Sequence, residues 1–359
     1  MIIGIRSLKI LLASLFLAVT AAEAGESGRG RRVTVMTQNV SNGVDDKLNA
    51  VATATSFGDL LVKVAAVYQA YFTRNFHERA AALAAEIEAK RPDLIGLQEA
   101  VLVRTQSPPD GPATPATTVV LDYVQILLDA LAARGLQYEI VVQSINFDAE
   151  LPSALGFDVR HTDREVILAR TDLKTADLKL SNAQGGNFVT NCTLPSIAGP
   201  ITIRRGWVSV DVKIRGKSFR LISTHLDLAC LPFTSAIQRA QAAEVLNGPA
   251  ATKLPVVLVG DLNSPGDGSG VTYNDLIAAG LDDAALEAGV GGVPTCCQAA
   301  DLLNLVSILN SRIDFILFRG AFLVRSADIV GENPADRTPS GLWPSDHAGV
   351  AATLELPHP

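Results

Sequence analysis

Short apolar runs recur along the chain, separated by stretches of helical periodicity and by turn-rich segments. Val33-Thr-Val-Met-Thr-Gln-Asn39-Val40 alternates with a period of two, which predicts a strand. Residues 45–72 carry a weaker helical pattern, interrupted by Thr and Gly. From Asn75 to Lys90 the pattern sharpens: Ala80, Leu83, Ala84 and Ile87 fall at i, i+3, i+4 and i+7, one apolar stripe of a helix. Arg91-Pro92-Asp93 stops that helix, and Leu94 to Glu99 reads as a strand. Ser107 to Thr118, rich in Pro, Thr, Ala and Gly, predicts an exposed loop. A helix over about Val119–Ala133 and a strand from Tyr138 to Val142 follow, then an irregular stretch and a strand at Arg164–Arg170. Arg205–Ile214 and Ser218–Leu226 form a hairpin pattern turned by Arg215-Gly216-Lys217. Residues 235–247 are helical, Val256–Gly260 is a buried strand, and Arg312–Phe318 and His347–Leu356 close the series.

These strands outnumber what one parallel sheet needs, and hairpins are mixed with helical crossovers. The pattern predicts a layered α/β fold with two mixed sheets. No repeat of fixed period and no sharp change of composition divides it, so one large domain over residues 25–359 is expected, where length suggested about two. The first 24 residues are set apart. Arg6 and Lys9 precede a short apolar run from Ile10, and Ala22-Glu23-Ala24 supplies a small-residue cleavage site. These are the parts of a secretory signal peptide, so the mature protein is expected to be secreted or periplasmic, with no membrane-spanning segment after cleavage.

Export makes the four cysteines relevant: Cys192, Cys230, Cys296 and Cys297. Disulfides are the expectation, because no C-x2-4-C pair announces a zinc site. A ring closed between the neighbours Cys296 and Cys297 would be strained, so distant partners are expected for each. The net charge of −7 and the 5% aromatic content argue against a chain that grips nucleic acid through bulk positive charge or rows of stacking rings. They leave open an enzyme that approaches phosphate through a bound cation.

Chemistry gathers at the predicted strand ends. Asn39, Glu99 and His225 each end a strand, Asp261-Leu262-Asn263 follows another, Asp314 opens one, and Asp346-His347 precedes the last. Asp261-Leu262-Asn263 also reads as a simple Asx turn. It is not a calcium loop of the EF-hand type, since Pro265 and Thr272 stand at ligand positions 5 and 12. Taken together, Glu99, Asp261, Asn263 and Asp346 are hard oxygen donors suited to magnesium, manganese or calcium, and His225 and His347 exchange protons near neutral pH. A hard cation with two histidines suits hydrolysis of a phosphoester.

Six segments in order resemble the endonuclease/exonuclease/phosphatase superfamily, which includes pancreatic deoxyribonuclease, exonuclease-type abasic-site endonucleases, neutral sphingomyelinases and inositol polyphosphate phosphatases. They are Thr37-Gln-Asn39, Gly96-Leu-Gln98-Glu99, Ser223-Thr-His225-Leu, Gly260-Asp261-Leu-Asn263, Arg312-Ile-Asp314-Phe-Ile and Ser345-Asp346-His347. The resemblance implies a four-layer α/β sandwich, two mixed β-sheets packed face to face with helices outside and the site at one rim. It implies Glu99 as the main metal ligand, with Asn39 and Asp346 nearby as further ligands or water-mediated contacts to Mg2+ (or Mn2+ or Ca2+). Asp261 and Asn263 would orient water and hold the scissile phosphate. His347 would be the general base, oriented by Asp314, and His225 would donate to phosphate or leaving group. His161-Thr-Asp163-Arg164 resembles the deoxyribonuclease strand that supplies a carboxylate to the first histidine, so Asp163 would pair with His225. His161 stands where relatives often carry tyrosine.

The expectation is therefore a secreted, monomeric, divalent-metal-dependent phosphodiesterase of nuclease type. A sphingomyelinase- or phospholipase C-like lipid phosphodiesterase is the alternative, and a non-catalytic binding module on the same fold is a third. The phosphodiester partner would be nucleic acid or a phospholipid head group. No exposed aromatic hairpin for dipping into a membrane is evident, which weighs against the lipid enzyme. His77 and His358 read as solvated, Trp207 and Trp343 as packing residues, and Arg164 and Arg205 as ion-pair or phosphate contacts. The insert over residues 43–75 and the loop at 107–118 are candidates for shaping specificity.

Overall fold

The computed structural model describes residues 31–197, 199–228 and 234–357. The leader at 1–24, Cys230 and His358 lie outside the described residues. One sheet runs β15 (Leu323–Val330), β16 (Gly349–Glu355), β1 (Arg32–Asn39), β2 (Leu94–Gln98), β6 (Asp158–Arg170), β3 (Leu102–Gln106), β4 (Thr118–Asp122), with β5 (Tyr138–Pro152) also paired to β6. The second runs β13 (Asp282–Asp283), β14 (Asp314–Arg319), β12 (Val256–Asp261), β11 (Lys217–His225), β10 (Gly206–Ile214), β7 (Lys179–Asn187). β8 (Cys192–Leu194) and β9 (Ile201–Ile203) form a separate small hairpin. Both large sheets are mixed: β1–β2 and β11–β12 are parallel, and β1–β16 and β12–β14 are antiparallel.

Strand alternation produces the layers. On β1, Val33 and Val35 face inward to Val210, Leu221, Val257 and Ile316 of the second sheet, forming the central core. Met36 faces outward with Ile95, Leu97 and Leu168, beneath Val64 and Val67 of α2 (Phe57–Thr73), Leu83 and Ile87 of α3 (Phe76–Lys90) and Leu127 of α4 (Tyr123–Ala133). The second sheet repeats the scheme. Ile222, Leu258 and Phe315 face out to Ala242 and Val245 of α5 (Thr234–Asn247) and Leu276 of α6 (Val271–Ala278). Helix, sheet, sheet, helix is the expected sandwich. Trp343 is fully buried, and His77 is exposed.

Three local expectations are corrected. The helix expected from Val119 begins at Tyr123, because Thr118–Asp122 pairs with β3 as a strand. Asp122 then caps the helix, its Oδ1 accepting from the amides of Val124 and Gln125 at 3.1 and 3.3 Å. The stretch after Val142 is not irregular: β5 and β6 continue as a long antiparallel pair, with register shifts between Ile140 and Val142 and between Ile145 and Asp148. The segment at 107–118 is less open than expected, since Gly111 and Ala116 are buried. Residues 45–72 resolve into two helices, α1 (Asp45–Ala52) and α2.

The sheets approach closely at Gly96 on β2. A Cβ there would lie 2.5 Å from Ser223 Oγ and 2.7 Å from Val259 Cγ2, both on the second sheet. Gly96→Ala should therefore cost about 1–3 kcal/mol through overpacking. Gly58→Ala on α2 meets open space and should be neutral or stabilising by up to ~1 kcal/mol. Denaturant midpoints of the two variants should move apart; equal midpoints would contradict the close approach.

Candidate functional site

The strand ends converge on one rim. Register sets His225 opposite Asp261, and Asp261 opposite Asp314, across three neighbouring strands. From the first sheet, β1 delivers Asn39 and the residue after β2 delivers Glu99. Backbone geometry enforces the convergence. Glu99 adopts a left-handed φ of 57°, which turns its side chain off the strand path. Gly260 has a φ of +147°, and a Cβ there would fall 1.9 Å from the carbonyl oxygen of Thr224, so only glycine fits before Asp261. The Asx turn is present too: Asp261 Oδ1 accepts from the Asn263 amide at 2.8 Å.

Asn39 stitches the two sheets. Its Nδ2 donates to Glu99 Oε1 at 3.0 Å and to Asp261 Oδ2 at 3.1 Å, while its Oδ1 accepts from the Ser41 amide at 2.9 Å. Asn39 thus spaces two carboxylates with its NH2 group, a different task from the oxygen ligand expected of it. The other Glu99 oxygen accepts from the backbone and side-chain nitrogens of Asn42, both at 2.7 Å. Asn42 Nδ2 also donates to Asp45 Oδ1 at 2.9 Å. Neither Asn42 nor Asp45 was singled out in the sequence. A polar residue three positions beyond a strand end and an acid in the following turn were the available signals.

The carboxylates are poised for a cation. Burial, then the charge of Asp346, pushes the Glu99 carboxyl up to about 7. Burial, then Asp314, pushes Asp261 up to about 7. Asp314 Oδ1 is buried without a hydrogen-bond partner. A donor set of hard oxygens whose charges resist coexistence fits a hard divalent ion. Ligand atoms of Asp261, Asp314 and His347 lie within 4.8 Å of one another, as do those of Cys296, Cys297 and His347. In the first group Asp314 and His347 already satisfy each other. The second is a thiol set, poorly matched to a hard ion. Glu99 and Asp346 remain the better-matched pair.

The histidines are held in different states. His347 Nδ1 and Asp314 Oδ2 are 2.9 Å apart, as the sequence led one to expect, and His347 Nε2 lies 3.8 Å from Asp261 Oδ2. Burial opposes charge on this ring, but Asp314 and Asp261 outweigh it and raise its pKa well above the ordinary value. His225 goes the other way: burial, then the Arg205 cation, holds it well below. Arg205 Nη1 stands 2.9 Å from His225 Nδ1. A guanidinium only donates, so Nδ1 accepts and the neutral ring carries its proton on Nε2. That Nε2–H has Asp261 Oδ2 as its acceptor at 3.4 Å, while the neighbouring Asn263 Nδ2, itself a donor, donates to the Leu226 carbonyl oxygen at 3.0 Å.

Arg205 therefore occupies the place expected of Asp163. Asp163 faces Arg205 at 3.7 Å and Asn146 Nδ2 at 3.5 Å, so it reaches His225 through the arginine rather than directly. His161 is neutral, lowered to about 4 by burial, and its Nδ1 is hydrogen-bonded to the hydroxyl of Tyr71 on α2. Where relatives often have a tyrosine, this chain places a histidine with a tyrosine behind it. Arg164 is structural, reaching Asp122 at 2.5 Å and the carbonyl oxygen of Ala100 at 2.7 Å. Cys192 is buried, Cys230 lies outside the described residues, and Cys296 sits with its neighbour Cys297 beside His347. The Cys296 backbone exchanges hydrogen bonds with Ser311 and bridges to His347, which fixes it at the rim. Cys297 Sγ lies 3.9 Å from His347 Nε2.

Two predictions follow from these charges. Protons held on Glu99 and Asp261 up to about pH 7 compete with a cation and leave as pH rises, and a cation near His347 would displace its proton in the same direction. Mg2+ or Mn2+ should thus bind more tightly at pH 8 than at pH 6, by about 10-fold per unit for each displaced proton. Calorimetry in buffers of different ionisation enthalpy should register proton release; pH-independent affinity would contradict the raised carboxyls. Arg205→Met removes the cation beside His225, so the His225 pKa should rise, read by NMR titration of the ring. An unchanged titration would contradict the Arg205 contact.

The sequence matches the model of the Endonuclease/Exonuclease/phosphatase family over residues 36–347. No curated protein matches it significantly. Among solved structures it is similar to D. rerio TDP2 complexed with a single-strand DNA product, at 17% identity and a TM-score of 0.54, covering 90% of this chain and 99% of that one. It is similar to the human Nocturnin catalytic domain with bound sulfate, at 17% identity and a TM-score of 0.52, covering 91% and 96%. A Bacteroides thetaiotaomicron mannosyl-6-phosphatase gives 16% identity and a TM-score of 0.54, covering 90% and 99%. These likenesses establish the fold. The family match runs from Met36, within the strand that carries Asn39, to His347 itself, and with it the chain belongs to the Endonuclease/Exonuclease/phosphatase family.

Proposed function

We propose that this phosphoesterase is a secreted or periplasmic phosphodiesterase that works with a divalent metal, Mg2+ first and Mn2+ or Ca2+ as substitutes. The observation that carries the reading is the His347–Asp314 pair at 2.9 Å, set beside Asp261 at the rim. In its neutral form His347 Nε2 takes a proton from water, and Asp314 fixes the ring with Nδ1 carrying the other proton. The charged imidazolium formed in that step is the species that Asp314 and Asp261 stabilise, which is why the ring's pKa is raised. Water's oxygen bonds to phosphorus, one P–O ester bond breaks, and a phosphomonoester and an alcohol leave.

His225, kept neutral by Arg205 with its proton on Nε2, is placed to donate to a phosphate oxygen or to the departing alkoxide. Asn263 Nδ2 brings a further donor to the same rim, while both hydrogens of Asn39 Nδ2 are taken by Glu99 and Asp261. Glu99 and Asp346 would hold the metal, and when bound it would neutralise phosphate charge. The nuclease and lipid phosphodiesterase readings share this chemistry and differ in what lies beyond the scissile phosphate. A binding module with a dead site is the poorer reading, because ligand, base, base-orienting acid and donor are all in place.

Hydrolysis of bis(p-nitrophenyl) phosphate tests the reading. His347→Ala and Asp261→Ala should each lower kcat by at least about 100-fold with the fold intact by circular dichroism. EDTA should abolish turnover and added Mg2+ restore it. Wild-type rates in either variant, or in EDTA, would sink the assignment.

A further inference from the structure

A cavity of about 540 Å3 begins at the catalytic rim and continues away from it, within the range of about 300–1,000 Å3 typical of small-molecule sites. One end is lined by His225, Asp261, Glu99 and His347. The other is walled by Leu48 of α1, Val64 of α2, Leu151 of β5, Val159 of β6, and Ile201 and Ile203 of β9. Much of the wall comes from the 43–75 insert and the β8–β9 hairpin, two segments to which the catalytic chemistry assigns no task, with β5 and β6 completing it.

The lining argues against a polyanionic strand. Among the described residues of the lining, Arg205 is the one arginine, lysine is absent, and six Asp or Glu side chains are present. Phe147 is the one Phe, Tyr or Trp ring among them. A nucleic acid would bring a run of phosphates and bases to walls that offer one arginine and one aromatic ring among the described residues. An apolar group attached to a single phosphate matches both ends. A second feature agrees. Leu303, Leu305, Val306 and Ile308 are all exposed, Leu305 by 76%, on a loop tied to the rim through Gln298 N to Asp346 O and Asn310 N to Cys296 O. Four large apolar side chains within six residues form an exposed patch of the kind that meets an apolar surface.

We infer that the substrate is an amphiphilic phosphodiester of the phospholipid kind, its phosphate at the His347 rim and its hydrocarbon chain in this cavity. The inference rests on the phosphodiesterase reading and deepens it. A series of p-nitrophenyl alkyl phosphates from methyl to dodecyl, kept below micelle concentrations, tests it. kcat/KM should rise by about two- to fourfold per methylene until the cavity is filled, fourfold being the ratio that ~0.8 kcal/mol per buried CH2 yields. Leu48→Asn and Ile203→Asn, both partly exposed in opposite walls, should flatten that slope. A methyl ester that is hydrolysed with no gain from longer chains would overturn the inference and leave the phosphodiesterase reading standing. Higher kcat/KM on oligothymidylate than on the dodecyl ester would overturn it in favour of nucleic acid. Should no diester be cleaved, the phosphodiesterase reading itself fails, and calorimetry on metal-free protein still judges the cavity. Dodecylphosphocholine should bind at least 100-fold more tightly than phosphocholine, and equal affinities would overturn the chain-binding site.

Discussion

Everything at the rim depends on keeping Glu99, Asp261, Asp314 and Asp346 close together while burying most of their surface. Burial raises the free energy of each carboxylate, and their mutual repulsion raises it further. The fold answers with donors at fixed positions. Asn39 bridges Glu99 and Asp261, Asn42 gives Glu99 two N–H groups, the Asn263 amide binds Asp261, and His347 binds Asp314. None of these except His347 can supply a positive charge. The remaining repulsion is what makes the cluster a receiver for a cation, and it also explains why the imidazolium of His347 is favoured.

That arrangement dictates the architecture around it. Asn39 and Glu99 belong to one sheet, Asp261 and Asp314 to the other, so the two must close to side-chain bonding distance at this end. Gly96 permits the approach and Gly260 permits the turn into Asp261. Behind the rim the interlayer is polar: Gln98 and Ser223, from opposite sheets, both hydrogen-bond Glu165, whose carboxyl is pushed well above its ordinary range by burial. Deeper in, Val33, Val35, Val257 and Ile316 take over. Polar satisfaction near the rim and apolar packing farther in are two parts of one interface between sheets.

The catalytic rim was legible because each of its residues ends or begins a strand whose apolar run is strong. Val256–Gly260 and Leu94–Leu97 announce themselves, and the polar residue after each is conspicuous. β7 was not legible, since Lys179–Asn187 is mostly exposed and contains Ser, Asn and two glycines, residues that strands disfavour. β5 keeps few buried positions, so its continuation past Val142 has no clean alternation to read. The pairing of Asp163 was misread for a different reason. A strand motif indicates which side chains point to the rim, but Arg205 arrives from another strand's approach and takes the space between Asp163 and His225.

The insert that the sequence marked as unassigned has two tasks in the structure. α2 packs Val64 and Val67 onto the first sheet and places Tyr71 behind His161, so it helps to build the core. The same helix, with α1, walls the cavity and leads through Asn42 and Asp45 to Glu99. One segment thus touches the metal-ligand candidate at one end and the apolar wall at the other. Chemistry at the strand ends and selectivity in the helical segment beside them is the division of labour this geometry supports.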